Sequence, residues 1–476
     1  MPDTDIFWFR GDLRLRDQPA LTAIADAGHA VVLVFISDTS VGGRWARGAA
    51  ADWWLHHSLL ALRDRLAEAG IQLVIRSGRA AEVLPALASE CGADSVRWNR
   101  QYEPAVVERD EAVAAALRGA GVTVTITNAS LLHDPDRVRT GSGGPYRVFT
   151  PFWRKLQAEV AIEPPLPAAT LTPCGADLPS ETVESLGLLP DIRWDAGFVD
   201  FWEPGEDAAH VRLRQFVDDR LADYPIERNR PDHDGTSQLS PRLHFGELSP
   251  RQVVHAVREH VAEHPDCEDA ADVFVSEIGW REFAHHVLHH FPETPDRPLR
   301  DQFEKMPWRD DPDGLRAWQR GRTGYPIVDA GMRQLWHIGW MHNRVRMIVG
   351  SFLTKDQLIS WERGAEWFFD TLCDGDLANN TLGWQWVAGC GADASPYFRV
   401  FNPVSQGQRY DPEGDYVRTW VPELAEMPAE YIHRPWEAPA AVLAEAGVTL
   451  GDDYPKPIVD HGEARKRALK ALASTK

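Results

Sequence analysis

Residues 374–403 have the sequence DGDLANNTLGWQWVAGCGADASPYFRVFNP. The first thirteen of them hold two carboxylates, two asparagines and two tryptophans, and a loop rich in Gly, Ala and Pro follows. A buried planar cofactor needs hydrogen-bond partners for its heteroatoms and apolar contact for its rings. The stretch therefore predicts a cofactor pocket. The alternative is a pair of core helices with capping Asp residues, because a motif needs its structural context.

Length and composition describe an ordinary globular protein of two or three domains. The chain has 476 residues, of which 43% are hydrophobic and 25% are charged. Its five cysteines are odd in number and include no CxxC pair, so neither a disulfide framework nor a zinc site is indicated. The apolar run at residues 30–36 is too short to span a membrane, and residues 1–12 lack a signal-peptide pattern. We expect a cytoplasmic protein.

Charge and tryptophan content are uneven along the chain. The net charge of −21 counts against a surface coated uniformly for nucleic acid, yet it leaves room for a local basic face. Arginines cluster at Arg228 and Arg230, Arg320 and Arg322, and Arg344 and Arg346. Nine of the 19 tryptophans lie between Trp280 and Trp386, and dense packing is the simplest explanation for them.

The first part of the chain alternates strand-like and helical patterns, which predicts a parallel, doubly wound sheet. The strand-like runs are residues 5–9, 30–36, 71–75, 95–99 and 122–126. No GxGxxG follows the first run, but residues 11–21 would lie at the carboxyl end of that strand, where such sheets bind ligands. We divide the chain into an α/β domain at residues 1–131, an irregular connector at 132–201 and a helical domain at 202–476.

The helical part contains several candidate sites. Hydroxyls at Thr236, Ser237 and Ser240 suit either phosphate binding or helix capping. Histidines 285, 286, 289 and 290 form two pairs spaced by four, which can chelate metal, but no acidic ligand is evident and we expect no metal site. An Arg346 side chain near Asp374 would form a fork-to-carboxylate bond, or else lie in a surface pair of little consequence.

Six motifs occur in the order and spacing of the photolyase and cryptochrome family, which the chain resembles over nearly its whole length. They are WFRGDLRLRDQPAL, GTSQLSPRLHFGELSP, WREF, WQRGRTGYPIVDAGMRQL, GWMHNRVRM and DGDLANNTLGWQW. The resemblance implies a Rossmann-like antenna domain, a long connector and an all-helical domain that binds FAD. Residues 429–459 are most similar to plant cryptochromes and to the bacterial photolyases for cyclobutane pyrimidine dimers that are related to them.

The resemblance also implies roles for individual residues around FAD. The cofactor-binding set is Tyr224, Thr236, Ser237, Gln238, Leu239, Ser240, Phe274, Arg281, Trp340, Asn343, Arg346, Asp374, Gly375, Asp376 and Asn380. Asn380 would face flavin nitrogen five, unless the register slips by one and Asn379 faces it instead. Trp384, Trp361 and Trp308 match the family's electron-transfer triad.

A further set would handle ultraviolet-damaged DNA, with the protein acting as a monomer. The implied catalytic residues are Glu277, Asn343, Met347, Asn380 and Trp386, and the implied lesion and DNA contacts are Glu277, Trp280, Arg281, Asn343, Arg344, Met347, Trp386 and Arg399. These residues predict light-driven repair of cyclobutane pyrimidine dimers by electron transfer from photoexcited reduced FAD, the reaction of a deoxyribodipyrimidine photo-lyase.

Two other functions in the family stay open as alternatives. Six-four photolyases place histidines where Asn343 and Met347 stand, and a cryptochrome would be a blue-light receptor without a lesion pocket. The antenna pigment is methenyltetrahydrofolate, a deazaflavin or none. We favour the folate on similarity to the plant-like photolyases, although QYEPAVV at residues 101–107 departs from the Asn-Glu pair of some folate-binding relatives.

Overall fold

A parallel sheet forms the first part of the molecule. The structure is a computed structural model and describes residues 3–394 and 398–475. Its strands are β1 (Thr4–Phe9), β2 (Ala30–Ser37), β3 (Leu73–Ser77), β4 (Ser95–Asn99), β5 (Thr123–Thr127) and β6 (Thr172–Pro173). The order is β3-β2-β1-β4-β5, all parallel, and the short β6 pairs with the start of β2.

Helices cover both faces of this sheet, which explains the apolar strand sequences. All residues of β2 except Ser37 are buried, as expected for a parallel strand with a helix on each side. In the register, Phe7 of β1 lies opposite Leu33 of β2 and Arg97 of β4. The predicted strand runs agree with the observed ones to within two residues, and the predicted α/β fold class is confirmed.

Helices make up most of the remaining chain. They are α1 (Pro19–Asp26), α2 (Ala49–Glu68), α3 (Ala80–Cys91), α4 (Pro104–Gly119), α5 (Phe149–Glu159), α6 (Ala196–Phe201), α7 (Glu206–Asp219), α8 (Tyr224–Glu227), α9 (Ser240–His244), α10 (Pro250–Glu263), α11 (Glu268–His290), α12 (Pro312–Gln319), α13 (Pro326–Ile338), α14 (Asn343–Ser351), α15 (Trp361–Thr371), α16 (Leu377–Ala388), α17 (Pro403–Tyr410), α18 (Asp415–Trp420), α19 (Ala429–Ile432), α20 (Ala440–Glu445) and α21 (His461–Ala473). A π-helical turn, Phe352–Asp356, continues α14. Within the described residues, none of these helices is long and apolar enough to cross a membrane.

The segment predicted to be an irregular connector contains regular structure. Besides β6 and α6 it includes α5, whose Phe149, Phe152 and Leu156 are buried and pack with Phe283 of α11. The Pro at position 151 lies in the first turn of α5, where its missing N–H is tolerated. Proline and glycine clusters therefore misled the sequence-based prediction here, and the domain boundaries at residues 131 and 201 stay predictions.

The segment after β1 ties the sheet to the helical part. Leu13 N donates to Phe245 O at 3.0 Å, and the buried Arg14 donates through Nη1 to Gly246 O at 3.0 Å. Asp17 accepts from Arg251 Nη2 at 2.7 Å, where Arg251 belongs to α10. The sequence pattern placed residues 11–21 at a ligand-binding edge, whereas the structure uses their polar groups in contacts within the protein.

Candidate functional site

The loop between α8 and α9, together with the first residue of α9, presents hydroxyl groups whose donor capacity is unused. Arg212 of α7 holds its backbone, because Nε donates to Ser237 O at 2.9 Å and Nη2 donates to Thr236 O at 3.0 Å. Among the described residues, the hydroxyls of Thr236, Ser237 and Ser240 donate to no acceptor. Three free O–H donors on a fixed backbone suit the oxygens of a phosphate or a ribityl chain.

The shape of this loop depends on two backbone positions. A Cβ on Gly235 would lie 2.7 Å from Glu227 O, so only glycine fits there. Gln238 has φ 53°, a left-handed conformation that is uncommon for a residue with a side chain and that often marks a functional site. Arg212 and Gly235 shape the predicted phosphate-binding loop, and motif matching alone did not single them out.

Buried aromatic rings line the adjoining wall. Tyr224 and Phe274 meet edge to face with centroids 5.2 Å apart, and Leu239 is buried beside them. Burial raises the pKa of Tyr224, so its hydroxyl stays protonated as a donor. Trp340 is buried as well and donates through Nε1 to Ser240 Oγ at 3.3 Å, which places it next to the loop.

Arg346 and Asp374 form the ion pair that the sequence predicted, with a different geometry. One nitrogen, Arg346 Nη2, reaches both carboxylate oxygens, at 2.8 and 3.1 Å. Nε donates instead to Met341 O at 2.7 Å, so the contact is not a two-nitrogen fork. The carboxylate is buried, and Gly375 follows it with little room for a side chain, since a Cβ there would lie 3.0 Å from Phe369 O.

Asp376 caps α16 and also contacts two histidines. Its Oδ1 accepts from the backbone N and from Nδ2 of Asn379, at 2.7 and 2.8 Å. Its Oδ2 lies 3.4 Å from His285 Nε2 and 3.9 Å from His244 Nδ1. Burial opposes ionisation, but His285 and the hydrogen bonds outweigh it and hold the pKa of Asp376 well below its usual range. The capping role and the pocket role therefore coexist at this residue.

The side chains of the two asparagines of α16 donate to different partners. The side-chain nitrogen of Asn379 is used within its own helix, by Asp376. Asn380 donates through Nδ2 to Ala365 O of α15 at 3.0 Å, and its Oδ1 has no donor among the described residues. Asn379 Oδ1 likewise has no donor among the described residues, so these contacts do not choose between the two registers, and the assignment of Asn380 to the flavin stays a prediction.

The three tryptophans of the predicted electron-transfer triad lie in or against one apolar core. Trp384 and Trp361 are 3% and 2% exposed, and Trp308 is half-buried at the margin of the same cluster. A Cβ on Gly364 of α15 would lie 2.1 Å from the Trp384 ring, so this glycine allows the ring to pack on the helix backbone. Two of the three side chains are therefore buried and the third, Trp308, is partly exposed, as a path from the interior to the surface requires.

Two arginines each contact a residue that is predicted to bind the lesion. Arg228, which follows α8, contacts Glu277 Oε1 of α11 through Nη2 at 2.7 Å. On α14, Arg344 Nη1 lies 3.7 Å from Met347 Sδ, and its guanidinium lies 4.5 Å from the centre of the Tyr410 ring. Asn343, at the start of the same helix, is exposed.

The remaining predicted lesion contacts lie on α11, on α16 and in the loop after α16. Trp280 stacks on Phe149 with centroids 3.8 Å apart and planes at 11°, and one edge of its cluster includes Leu382 of α16. Trp386, one turn after Leu382 on the same helix, is half-buried against the main core. Arg399 is exposed, and its carbonyl accepts from the buried Lys355 Nζ at 3.1 Å.

Arg281 and two histidines near the end of α11, His289 and His290, contact the segment that follows β5. Arg281 donates through Nη1 to Ser130 O at 2.7 Å. His289 Nε2 lies 3.2 Å from Asp136 Oδ2, and with His290 these residues have ligand atoms within 4.8 Å of one another. His290 Nε2 is engaged with Pro135 O and Asp136 with Arg139, so this group is already bonded within the protein.

Two buried nitrogen atoms lack partners close to these predicted ligand contacts. His342 Nδ1 accepts from Arg344 N at 3.2 Å, which places the ring proton on Nε2, and Nε2 is buried without an acceptor among the described residues. Burial lowers the pKa of His342 to about 3, so the ring is neutral. Trp384 Nε1 is likewise buried and unpaired. With the free hydroxyls and the Arg346–Asp374 pair, these donors fit the polar groups of FAD.

Two family models match the chain. One, described as the FAD binding domain of DNA photolyase, matches residues 274–474, and the other, described as DNA photolyase, matches residues 5–171. They cover the helical part that carries most of the site and the sheet with the segment following it. The predicted cofactor, FAD, is confirmed by these matches, and a folate antenna stays a prediction.

Full-length relatives include photolyases and cryptochromes. The chain is 50% identical to a deoxyribodipyrimidine photo-lyase of Agrobacterium fabrum, over 99% of this chain and 98% of the relative. It is 38% identical to cryptochrome-2 of Arabidopsis thaliana, over 100% of this chain and 80% of the relative. A solved bacterial class III photolyase from Agrobacterium tumefaciens superposes with a TM-score of 0.96 at 49% identity, covering 100% and 98% of the two chains. The predicted enzyme class is thus confirmed, and the chain belongs to the DNA photolyase and cryptochrome family.

Proposed function

We propose that the protein, acting as a monomer, repairs cyclobutane pyrimidine dimers in ultraviolet-damaged DNA in a light-dependent reaction. The observation that carries the proposal is the set Glu277, Trp280, Asn343, Met347 and Trp386, which the fold places on the three packed helices α11, α14 and α16. Residues around the Arg346–Asp374 pair would hold FAD, which in its reduced form would supply a light-excited electron donor for opening the cyclobutane ring and would regain the electron afterwards.

The aromatic residues offset the cost of extruding the dimer. A pyrimidine dimer stacks poorly in the duplex, so taking it out costs less than flipping a normal base. Trp280 is held flat against Phe149, and Trp386 stands on the neighbouring helix, so the pocket has rigid apolar walls. Stacking on such walls returns about 1–3 kcal/mol per base.

Glu277 orients the dimer through hydrogen bonds. Arg228 occupies one carboxylate oxygen, Oε1, and the other oxygen has no protein donor among the described residues. A free carboxylate oxygen accepts from the imide N–H of a pyrimidine, which fixes the base edge in the pocket. The same contact stabilises the position where negative charge develops when an electron is added to the dimer.

Arginines near the proposed lesion pocket would bind the DNA phosphates on either side of the dimer. Arg344 is pre-oriented, because Nη2 donates to Asn229 Oδ1 at 2.5 Å and the guanidinium lies over the Tyr410 ring. Arg399 is exposed on the loop after α16. Phosphate contacts do not depend on base sequence, which suits an enzyme that finds damage anywhere in a genome. The net charge of −21 confines this attraction to the local basic face.

The FAD contacts divide between two ends of the site. Thr236, Ser237 and Ser240 would hold the phosphates and ribityl chain with hydroxyl donors. Arg346, paired with Asp374, would lie against the isoalloxazine, and Asn380 would accept from its nitrogen five without adding charge. That neutral acceptor is the feature expected to favour the reduced cofactor that repair needs.

Illumination of defined damaged DNA tests the proposal against its alternatives. The protein is purified with FAD, the flavin is chemically reduced, and oligonucleotides with either a cyclobutane dimer or a six-four photoproduct are exposed to blue light. Repair of the cyclobutane dimer alone is the expected result. Repair of the six-four photoproduct would favour the second photolyase class, and repair of neither, with fully reduced FAD, would favour a light receptor.

A further inference from the structure

His285 lies on the inner face of α11, one turn after Arg281, and faces the start of α16. Its side chain is 6% exposed. Four groups surround it: the carboxylate of Asp376, His244 beyond that carboxylate, Arg281 on its own helix, and the Tyr102 ring, whose centroid lies 6.2 Å from the imidazole. The spacing of the α11 histidines is compatible with metal binding, but His285 contacts Asp376, a residue of the predicted FAD-binding set.

Both ring nitrogens of His285 face oxygen atoms that accept hydrogen bonds. Nδ1 lies 3.0 Å from the backbone carbonyl of Arg281, and Nε2 lies 3.4 Å from Asp376 Oδ2. A carbonyl oxygen can only accept, so Nδ1 carries a proton. Burial opposes ionisation of Asp376, but the contacts around it hold its pKa well below its usual range, so Oδ2 faces Nε2 as an ionised acceptor and Nε2 also carries a proton. With a proton on each nitrogen, His285 is an imidazolium.

The electrostatic surroundings agree with this protonation. Burial works to lower the pKa of His285, but the charge of Asp376 outweighs it and raises the pKa above its ordinary value. Arg281 opposes the cation, and Tyr102 stays neutral because burial raises its pKa. Asp376 therefore accounts for the charge on the ring.

Two carboxylates and two cations meet where α16 begins. Asp374 is paired with Arg346 at 2.8 Å, and Asp376 has His285 as its nearer histidine, since His244 lies 0.5 Å farther away (3.9 against 3.4 Å). With both pairs intact, the two negative charges are balanced. A neutral residue at position 285 would leave the second carboxylate uncompensated in a buried position, which is unfavourable.

We propose that His285 is a positioning residue that acts through Asp376: its positive charge balances that carboxylate, so that adding an electron to the bound FAD meets no uncompensated negative charge. This inference rests on the proposed function, because it takes Asp376 to lie beside the isoalloxazine. The residue acts on the free energy of reduction and on the orientation of Asp376, and it does not touch the DNA lesion.

The reduction potential of bound FAD tests the inference apart from repair. His285→Gln removes the cation, so the midpoint potential at neutral pH should shift to a more negative value, and His285→Lys should return it toward that of the unaltered protein. His289→Gln is the matched control, the same substitution one turn further along α11, where the ring faces the exposed Asp136. An unchanged potential in His285→Gln would overturn the inference.

The protonation of the ring is measured directly on the intact FAD-loaded protein. Nitrogen-15 NMR with labelled histidine, assigned by loss of a signal in His285→Gln, should show both nitrogens protonated at neutral pH. A singly protonated ring would overturn the inference even if the His285→Gln variant loses FAD. Failure of the proposed function would look different, since dimers would persist while the potential shift and the imidazolium signal were present.

Discussion

Two regions of this protein, the edge of the sheet beside Asn99 and the predicted FAD site, differ in how fully their polar groups are bonded. The sheet reverses its strand order between β1 and β4, where doubly wound folds usually bind ligands. There Asn99 Nδ2 donates to Asp12 Oδ2 and to Gln18 Oε1, both at 2.6 Å, and Thr127 Oγ1 donates to Asn99 Oδ1. At the predicted FAD site, within the part of the chain that the structure describes, the hydroxyls of Thr236, Ser237 and Ser240 donate to no acceptor, and the amide oxygen of Asn380 and two buried ring nitrogens have no partner.

The difference shows how a binding region is recognised without a ligand. A closed polar network stabilises the protein itself, because each group is satisfied by a neighbour. An open set of donors and acceptors around buried aromatic rings costs stability in the free protein and is repaid when a ligand supplies the partners. Here the polar groups at the sheet edge are bonded within the protein, and the predicted pocket lies among α9, α11, α14 and α16.

The largest expected effect is the loss of FAD photoreduction when a buried tryptophan of the predicted electron-transfer triad is replaced. In Trp361→Phe, light-driven reduction of bound oxidised FAD should be abolished under illumination that fully reduces the unaltered protein, because the predicted path to the surface is broken. Repair by chemically pre-reduced enzyme should be spared. Trp98→Phe, at a fully buried position in the sheet, should leave both rates unchanged. Equal loss of photoreduction and repair in Trp361→Phe would reject the triad assignment.

Two similar ion pairs, one in each region, test whether a buried carboxylate contributes only to stability or also to FAD binding. Asp374 with Arg346 and Asp5 with Arg97 are both at 2.8 Å, with the carboxylate buried and the arginine partly exposed. Asp374→Asn and Asp5→Asn should each lower the free energy of unfolding by about 2–3 kcal/mol, below the loss for a fully buried pair. Only Asp374→Asn should also weaken FAD binding, as measured by fluorescence titration. Unchanged FAD affinity in Asp374→Asn would remove this pair from the site.

The next prediction concerns Trp280, one of the two tryptophans proposed to stack on the extruded dimer. Trp280→Ala should weaken binding of dimer-containing DNA by about 1–3 kcal/mol, roughly fivefold to 150-fold, because stacking with the extruded base is lost. FAD content should be unchanged. Trp336→Ala is the control, because Trp336 is 52% exposed and stacks on Trp367 instead. An electrophoretic mobility assay measures both variants, and equal losses would mean that Trp280 has no specific role.

Two asparagines distinguish the closed network from the open site. Asn99→Leu should destabilise the protein by about 1–3 kcal/mol, since it leaves buried partners unsatisfied, and should leave the FAD spectrum unchanged. Asn380→Leu removes only one bond, to Ala365 O, and should cost less stability while altering the spectrum of bound FAD. Urea unfolding and absorption spectra measure the two effects. If Asn99→Leu alters the FAD spectrum and Asn380→Leu causes the larger loss of stability, the proposed difference between the two regions is wrong.

The smallest effect concerns a single hydroxyl. Thr236→Val should lower FAD affinity by about 0.5–1.5 kcal/mol, the usual net value of one hydrogen bond, with little change in stability. Thr22→Val deletes a hydroxyl that donates to Gln18 O at 3.2 Å near the sheet edge, and it should affect stability only. Isothermal titration with FAD compares the two variants. If both leave the affinity unchanged, Thr236 does not contact the cofactor.

The fold was largely predictable because its signals are local. Apolar runs such as residues 30–36 and helical periodicity after Trp202 reflect contacts that repeat along the chain. The helix α5 was missed because Pro151 and the neighbouring glycines suggest irregular structure, although the first turn of a helix accommodates proline. The two-residue strand β6 has too short a pattern to be recognised at all.

The site was predictable only where residues follow a family motif. The spacing of Glu277 and Trp280 or of Asn343 and Met347 can be read on one helix. The contact between His285 and Asp376 joins residues 91 positions apart (376 − 285), and the pair of Arg228 with Glu277 also bridges separate helices. Such contacts depend on how the helices pack, and no periodicity in the sequence encodes them.

The most direct test of the account is a crystal structure of the protein with FAD and an oligonucleotide that contains one cyclobutane thymine dimer. The account predicts the isoalloxazine against Arg346 and Asn380, with the dimer extruded between Trp280 and Trp386. It also predicts that the hydrogen bonds among Asp12, Gln18 and Asn99 are unchanged. A flavin bound at that sheet edge, or a dimer bound away from the two tryptophans, would contradict it.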